Sequence, residues 1–397
     1  MQKILRFLLL CAVLTAPAFA QQKRSLGEIV VTGDKDKISV RVSANSPELS
    51  GLAQRAFGSH GRYRVVPGNA QYDIRFSQVS GTQVRVDIVK GLGNQPVASE
   101  VVTGTNLRNA LLRAADVAVA KTNGLGLRGF FTAQLAFISS RTGRREVYTS
   151  DLFFGGVKQI THDNAQALTP RWSPDGSRIV YTSYFKSGFP DIFQIDLGTY
   201  QRTTLASFKG TNSGARYSPN GQQLVMVLSG TGNTEVWTAN AYGRSPVRRT
   251  NSSEVKSSPC FSPDGSRIVY AMEPGPQLYV MSASGGPASR ISAGAGSGYC
   301  AEPDWCRADP NKIAFTVRSG RSYQIAVLDL SKNKTEIVSK AAFDGIEPCW
   351  LPDGRHLVYT ARDRSSSVIS ILDTVTGQSV PVSSGLSDVE QANVLFR

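Results

Sequence analysis

Reactive side chains are few in this chain of 397 residues, and their placement limits the chemistry open to it. The three histidines, His60, His162 and His356, are scattered along the sequence. His356 starts an apolar run at a position where parallel runs carry Arg178, Gln223, Arg267 and Lys312, so it reads as structural, as do the other two. No G-x-S-x-G elbow, P-loop, H-E-x-x-H or calcium-loop spacing occurs. Glu302 and Glu347 could be argued as a glycosidase pair, one acting as acid and one as base or nucleophile, but two carboxylates alone are thin support. Gly124, Gly126 and Gly129 match G-x-G-x-x-G. Dinucleotide binding requires a strand before those glycines and a helix after them, whereas here a helical pattern comes first, so the match is accidental. These residues imply no enzyme and no cofactor.

Cys260, Cys300, Cys306 and Cys349 form a second candidate group. An even number of cysteines in an exported chain suggests disulfides, with three pairings open. Cys260 and Cys349 occupy one repeat position two units apart and are not expected to meet. Pairing Cys260 with Cys300 and Cys306 with Cys349 would staple neighbouring units. Zinc is disfavoured, since no paired C-x-x-C motif occurs and no histidine is near.

The elements that must position these residues are repeats. PRWSPDGSRIVYTS from Pro170, ARYSPNGQQLVMVL from Ala215, PCFSPDGSRIVYAM from Pro259 and PCWLPDGRHLVYTA from Pro348 share one pattern. Weaker copies begin at Pro303 and Gln134. Their first apolar residues after the turn, Leu135, Ile179, Leu224, Ile268, Ile313 and Leu357, are 44 or 45 residues apart. That period, built from short alternating strands, predicts propeller blades. In the turns Pro174 presets φ, Asp175 bonds the local backbone and Gly176 accepts positive φ. Two aromatic columns, Trp172, Tyr217, Phe261, Trp305, Trp350 and Phe137, Tyr181, Met226, Tyr270, Phe315, Tyr359, are expected to fill the wedges between blades. The first unit lacks an inner strand, and about Asp388 to Phe396 should supply it, closing a ring of six blades.

Ahead of the repeats, residues 1–20 read as a signal peptide: Lys3 and Arg6, an apolar run from Phe7 to Leu14, and a small-residue site at Ala18-Phe19-Ala20. Its removal lowers the formal charge of +14 by two. The basic residues are scattered, and nucleic acid is not an expected partner of an exported chain. Residues 21–128 predict a small α+β domain: strands over Ile38–Val42, Tyr72–Gln78, Gln83–Val89 and Val97–Thr103, and helices over Pro47–Phe57 and Asn106–Lys121. A glycine linker ends it, and the propeller is placed over 129–397. The fold class is mainly β, a six-bladed propeller after a small α+β domain.

A propeller offers rigid loops around an axis. The loops leading into the inner strands hold Asp163, Asn164, Asn212, Ser213, Glu254, Glu302, Asp344 and Glu347, which should line one mouth of the channel. Such acids could hold a cation or a partner's basic side chains.

The order of signal peptide, α+β domain and propeller, with the junction AADVAVAKTNG, a glycine linker and GFFTAQLAFISSRTG, resembles the TolB family of the Tol–Pal system. EIVVTGDKDKISVRV also resembles that family's N-terminal segment. The resemblance implies a periplasmic, non-enzymatic adaptor, expected to be monomeric and peripheral to the outer membrane through its partners. It implies a Pal-like peptidoglycan-associated lipoprotein at the propeller mouth and a TolA-like inner-membrane protein on an arm spanning about Gln22 to Asp34, with Glu28, Ile29, Val30, Val31 and Thr32 at its centre. It further implies a part in outer-membrane integrity and division. The four mature cysteines and the short first domain depart from the pattern. The alternatives are a TolB-like propeller for another envelope ligand, a glycan or lipoprotein, and an exported hydrolase whose catalytic group the sequence does not supply.

Overall fold

A computed structural model describes residues 37–91, 95–291, 298–383, 385–386 and 388–396. The expected signal peptide and the arm Glu28–Thr32 lie outside them. The described chain begins with β1 (Ile38–Ala44), α1 (Pro47–Ser59), β2 (Tyr63–Val65), β3 (Tyr72–Ser80), β4 (Gln83–Lys90), β5 (Gln95–Thr103) and α2 (Leu107–Thr122). These strands form one sheet in the order β2-β1-β3-β4-β5, with β1 parallel to both of its neighbours. Alternation puts Val40, Val42, Ile74, Phe76, Val84, Val86 and Ile88 on the face covered by the two helices. Ser46 caps α1 by accepting the Leu49 amide at 3.3 Å, and Asn106 caps α2 by accepting that of Asn109 at 2.8 Å. β2 was not foreseen because only Tyr63 of its three residues is buried, too little for an alternation.

Six four-stranded sheets follow. The last strand of the described chain, Val389–Leu395, pairs with Gln134–Ser139 and so forms the inner strand of blade one. The inner strands of blades two to six are Ala167–Trp172, Asn212–Tyr217, Lys256–Phe261, Cys300–Trp305 and Asp344–Trp350. Both aromatic columns are buried. In blade two Ser173 accepts the Arg178 amide at 2.9 Å, Asp175 accepts that of Ser177 at 3.1 Å, and Gly176 sits at φ 72°. The fifth turn is one residue longer, with the Cys306 amide reaching the Lys312 carbonyl at 2.9 Å.

At blade six Leu351 replaces the turn serine. Asp353 then accepts from the ring of His356, Nδ1 to Oδ2, at 2.6 Å. His356 Nε2 accepts the Gly61 amide at 3.2 Å, which joins the turn end of blade six to the first domain. Gly61 is required there: a Cβ would lie 1.7 Å from the Asp373 carboxylate. His60 packs edge-on to His356 at 4.4 Å between ring centroids and 4.6 Å from Phe130. Nearby, Asp116 of α2 accepts the amides of Phe131 and Thr132 at 2.9 and 3.0 Å, and Arg108 bonds Asp151 of blade one. One hydrophobic cluster runs unbroken from the first domain through Phe130 and Phe131 into blades one and six.

Burial, then the neighbouring His356, holds His60 well below its usual 6.5, while Asp353 and Asp373 oppose and Arg355 reinforces that shift. The native state therefore keeps His60 neutral while the unfolded chain protonates it, so stability falls as pH drops below about 6.5. Thermal melts at pH 7.5 and 5.5 should show the wild type losing more stability on acidification than His60→Leu. Ring closure supplies a second expectation. Asn393 Oδ1 accepts the Trp172 amide at 2.9 Å across the seam between blades one and two. Asn393→Leu leaves that amide unpaired and should cost about 1–3 kcal/mol in urea unfolding.

Candidate functional site: the two ends of the axial channel

Each inner strand is the edge of its sheet and presents unpaired backbone groups to the axis. Every one of the six is bulged at the same place. The bulge holds Thr169, Gly214, Ser258, Glu302, Glu347 and Gln391 at φ between 48° and 65°, the left-handed region that non-glycine residues seldom adopt. Where these side chains can accept, they reach the next blade. Glu302 Oε2 accepts the Glu347 amide at 3.0 Å, Glu347 Oε2 that of Gln391 at 3.2 Å, and Gln391 Oε1 that of Thr169 at 2.8 Å. Thr316 and Thr360 donate their hydroxyls to Glu302 and Glu347 at 2.6 and 2.9 Å.

A second tier lies two residues on, nearer the turns. Asp304 accepts the Trp350 amide at 2.9 Å, Cys349 Sγ that of Val394 at 3.4 Å, and Asn393 that of Trp172. Arg171, Arg216 and Cys260 complete this tier by register. Arg216 pairs with Asp304 across the channel at 2.9 Å.

Burial, followed by the Glu347 carboxylate, pushes Glu302 up to about 7. Glu302 and Glu347 thus meet in the channel. The other expected mouth residues do not share that place. The Asp163 side chain is buried in blade two, ion-paired to Arg202 and accepting from Ser183 at 3.0 Å. Asn212 is buried and staples its own loop, donating to the Phe208 carbonyl at 2.8 Å and accepting the Phe208 amide at 3.0 Å. Both are corrections to their placement at the opening: each satisfies backbone or charge inside the wall. Asn164 is exposed in its loop, its amide donated to Glu146 at 2.7 Å, while Ser213 and Glu254 are partly exposed. Asp344 accepts the Tyr323 amide at 3.1 Å and pairs with Arg362 at 3.3 Å.

The sequence reading missed the apolar rim of the entrance face, the end at which the inner strands begin. Phe185, Phe189, Phe208, Val255 and Phe343 are exposed in loops at that end, Phe189 to 68% and Phe343 to 57%. Their signal was available: Phe185 and Phe189 fall in a loop outside the strand alternation. Between blades five and six, Phe343 also borders a shallow pocket with Arg321, Arg362 and Arg364.

Cys260, Cys300, Cys306 and Cys349 are all buried, and Cys260, Cys306 and Cys349 are free thiols, so neither expected pair, Cys260 with Cys300 or Cys306 with Cys349, forms. Cys260 lies at the turn end of its inner strand and Cys300 at the entrance end of the next. Four residues of strand separate those levels by about 13 Å, beyond disulfide reach. Cys306 packs into the seam beside Trp350 and Gly354, whereas the Cys349 sulfur turns to blade one and serves as an acceptor. Burial pushes the Cys306 and Cys349 thiols up to about 11 and 12. Among the described residues the one cluster with metal-ligand spacing is His60, Asp353 and His356, already engaged in the domain contact.

A closed six-bladed ring with a polar axial channel, bearing a small α+β domain at its turn end, defines a propeller scaffold whose loops face outward for binding. The profile described as TolB beta propeller domain matches residues 124–392, and the chain belongs to that family. Proteins called Tol-Pal system protein TolB from Bordetella pertussis and Bordetella bronchiseptica are 31% identical over 189 residues. That match covers 47% of this chain and 42% of theirs, so it spans under half the length of either. In fold, the chain is similar to the crystal structure of TolB from Acinetobacter baumannii, with a TM-score of 0.79 at 21% identity, covering 91% of this chain and 97% of that one. No helix among the described residues is long and apolar enough to cross a membrane.

A carboxyl raised in the folded state favours its protonated form, so its ionisation weakens the fold as pH rises from about 4.5 through about 7. Glu302→Gln should therefore melt higher than the wild type at pH 8. The advantage should shrink steadily towards pH 4.5 in a series of melting curves.

Proposed function

We propose that this chain is a periplasmic, non-enzymatic adaptor of the Tol–Pal type whose entrance face docks a Pal-like peptidoglycan-associated lipoprotein. Membership of the TolB propeller family supports the class. The observation that carries the docking surface is the group of exposed apolar side chains in the entrance-end loops, Phe185, Phe189 and Phe208 beside blades two and three, Val255 before blade four and Phe343 before blade six, on the face whose channel holds Glu302 and Glu347. Exposed apolar side chains grouped on one face of a soluble scaffold mark a protein contact, and aromatic anchors usually dominate such contacts. The acids within the mouth suit basic side chains of the partner. The domain layout in this reading is a signal peptide over 1–20, an α+β domain with its arm over 21–128 and the propeller over 129–397. The arm, centred on Glu28 to Thr32, would engage a TolA-like inner-membrane protein. An arm that favours one state of the propeller changes the affinity for the lipoprotein by the same factor that the lipoprotein changes arm docking. The cellular role would be to support outer-membrane integrity and envelope constriction in division.

The test is affinity capture by the mature protein from detergent-solubilised envelope, with mass spectrometry of the bound lipoproteins and titration of the purified partner. A Pal-like lipoprotein should be recovered, and Phe189→Ser with Phe343→Ser should weaken it by about tenfold or more. Recovery with unchanged affinity would remove the entrance face from the contact. Capture of a different lipoprotein, or of glycan alone, would replace the Tol–Pal reading with a TolB-like propeller for another envelope ligand.

A further inference from the structure

The turn end of the channel carries an interaction that the proposed docking at the entrance does not use. In the tier nearest the turns, blades five, six and one place acceptors, Asp304, Cys349 and Asn393, against the next blade's backbone amides. Blades two and three place Arg171 and Arg216 at the same register, and a guanidinium can only donate. The two arginines differ in what they meet. Arg216 has the Asp304 carboxylate at 2.9 Å. Arg171 donates Nη1 to the neighbouring Pro170 carbonyl at 3.1 Å, its Nε is buried with no partner, and no carboxylate among the described residues is ion-paired to it. An unpaired buried donor on a fixed charge is costly, so it marks a vacant bonding position.

The Arg171 side chain also lines a cavity of about 60 Å³ at the turn end of the axis, walled by Trp172, Tyr217, Trp305 and Trp350. One water needs about 10–15 Å³ of such space, so the cavity takes several waters and is large enough to admit a carboxylate group. Three guanidinium groups, of Arg171, Arg216 and Arg307, and one carboxylate, of Asp304, line the cavity and leave an excess positive charge. Its aromatic walls keep the local dielectric low and strengthen an ionic contact there. A guanidinium matches a carboxylate in a planar, paired geometry.

We infer that the turn-end cavity is a carboxylate-binding socket, with Arg171 as its anchor and the aromatic side chains as its walls. Burial, followed by repulsion from Arg216, lowers Arg171 to about 10 against the opposing pull of Asp304 and Glu347, and a bound carboxylate would raise it. The socket lies at the opposite end of the ring from the apolar rim, so its occupancy does not depend on the adaptor reading. The carboxylate could belong to a free small acid or to a peptide, as an acidic side chain or a chain end.

The test is the melting temperature of the mature protein in rising sodium acetate, against sodium chloride at matched ionic strength. Acetate should stabilise the wild type saturably and beyond chloride. Arg171→Gln should abolish that difference, and Arg171→Lys should weaken binding by about tenfold or more. Acetyl-Ala-Ala, with its free chain end, and acetyl-Ala-Ala-Asp amide serve as the peptide arms. Binding of either at least tenfold tighter than acetate assigns the socket to a peptide carboxylate; equal binding assigns it to a small acid. Equal effects of acetate and chloride on the wild type, or an undiminished acetate effect in Arg171→Gln, would overturn the proposal. If Arg171→Gln does not fold, an arginine Nε–H resonance of the wild type should shift with acetate and stay fixed in chloride. A resonance unmoved by acetate also overturns it.

Discussion

Closing a ring of sheets leaves six strand edges facing one narrow axis, and the backbone amides on those edges need acceptors that no strand can supply. The structure answers with side chains. A bulge at one register in each inner strand turns a residue towards the channel, and on blades five, six and one that residue accepts an amide of the following blade. A second set of acceptors repeats the arrangement nearer the turns. The seams between these blades are therefore joined by hydrogen bonds at the axis as well as by aromatic packing further out. The left-handed backbone at these positions costs on the order of 1 kcal/mol per non-glycine residue, and the amide it satisfies would cost a similar amount if buried alone.

Departures from the repeat acquire meaning against that constraint. A serine lost at the sixth turn frees Asp353 to hold His356, and His356 in turn holds the backbone of the first domain. Substituting one turn residue thus converts a local hydrogen bond into a contact between domains. Arginine at positions 171 and 216 removes acceptors where the ring uses them on three other blades, and leaves donors in their place.

The sequence made the architecture legible because it is periodic. The 44- and 45-residue spacing, the turn residues and the missing first inner strand led to six blades and to closure by about Asp388 to Phe396, where the strand Val389–Leu395 is found. The site was legible only in part. Glu302 and Glu347 could be placed in the channel by register, but Asp163, in the loop before its inner strand, and Asn212, at the start of its own, could not be distinguished from mouth residues. The Asp163 side chain is claimed by Arg202 on an outer strand and that of Asn212 by the backbone of its own loop, partners that the repeat pattern does not reveal. The cysteines misled for a related reason. Their number and export context suggested bonds, while their heights along the strands and the partners of their sulfurs kept them apart.

The channel shows which of its features exceed what the ring requires. Gln391 sits at the same register as Glu302 and Glu347, in the same left-handed conformation, and accepts the next amide at 2.8 Å without a charge. An amide side chain is therefore sufficient for closure. Two carboxylates on adjacent blades do the same work at a disadvantage, since burial and mutual repulsion push Glu302 up to about 7. Each also has an oxygen committed to a backbone amide and a threonine hydroxyl, which ties the pair to the wall. The negative charge there is thus surplus to what closure of the ring requires. It lies in the channel that opens on the face carrying the exposed Phe189 and Phe343.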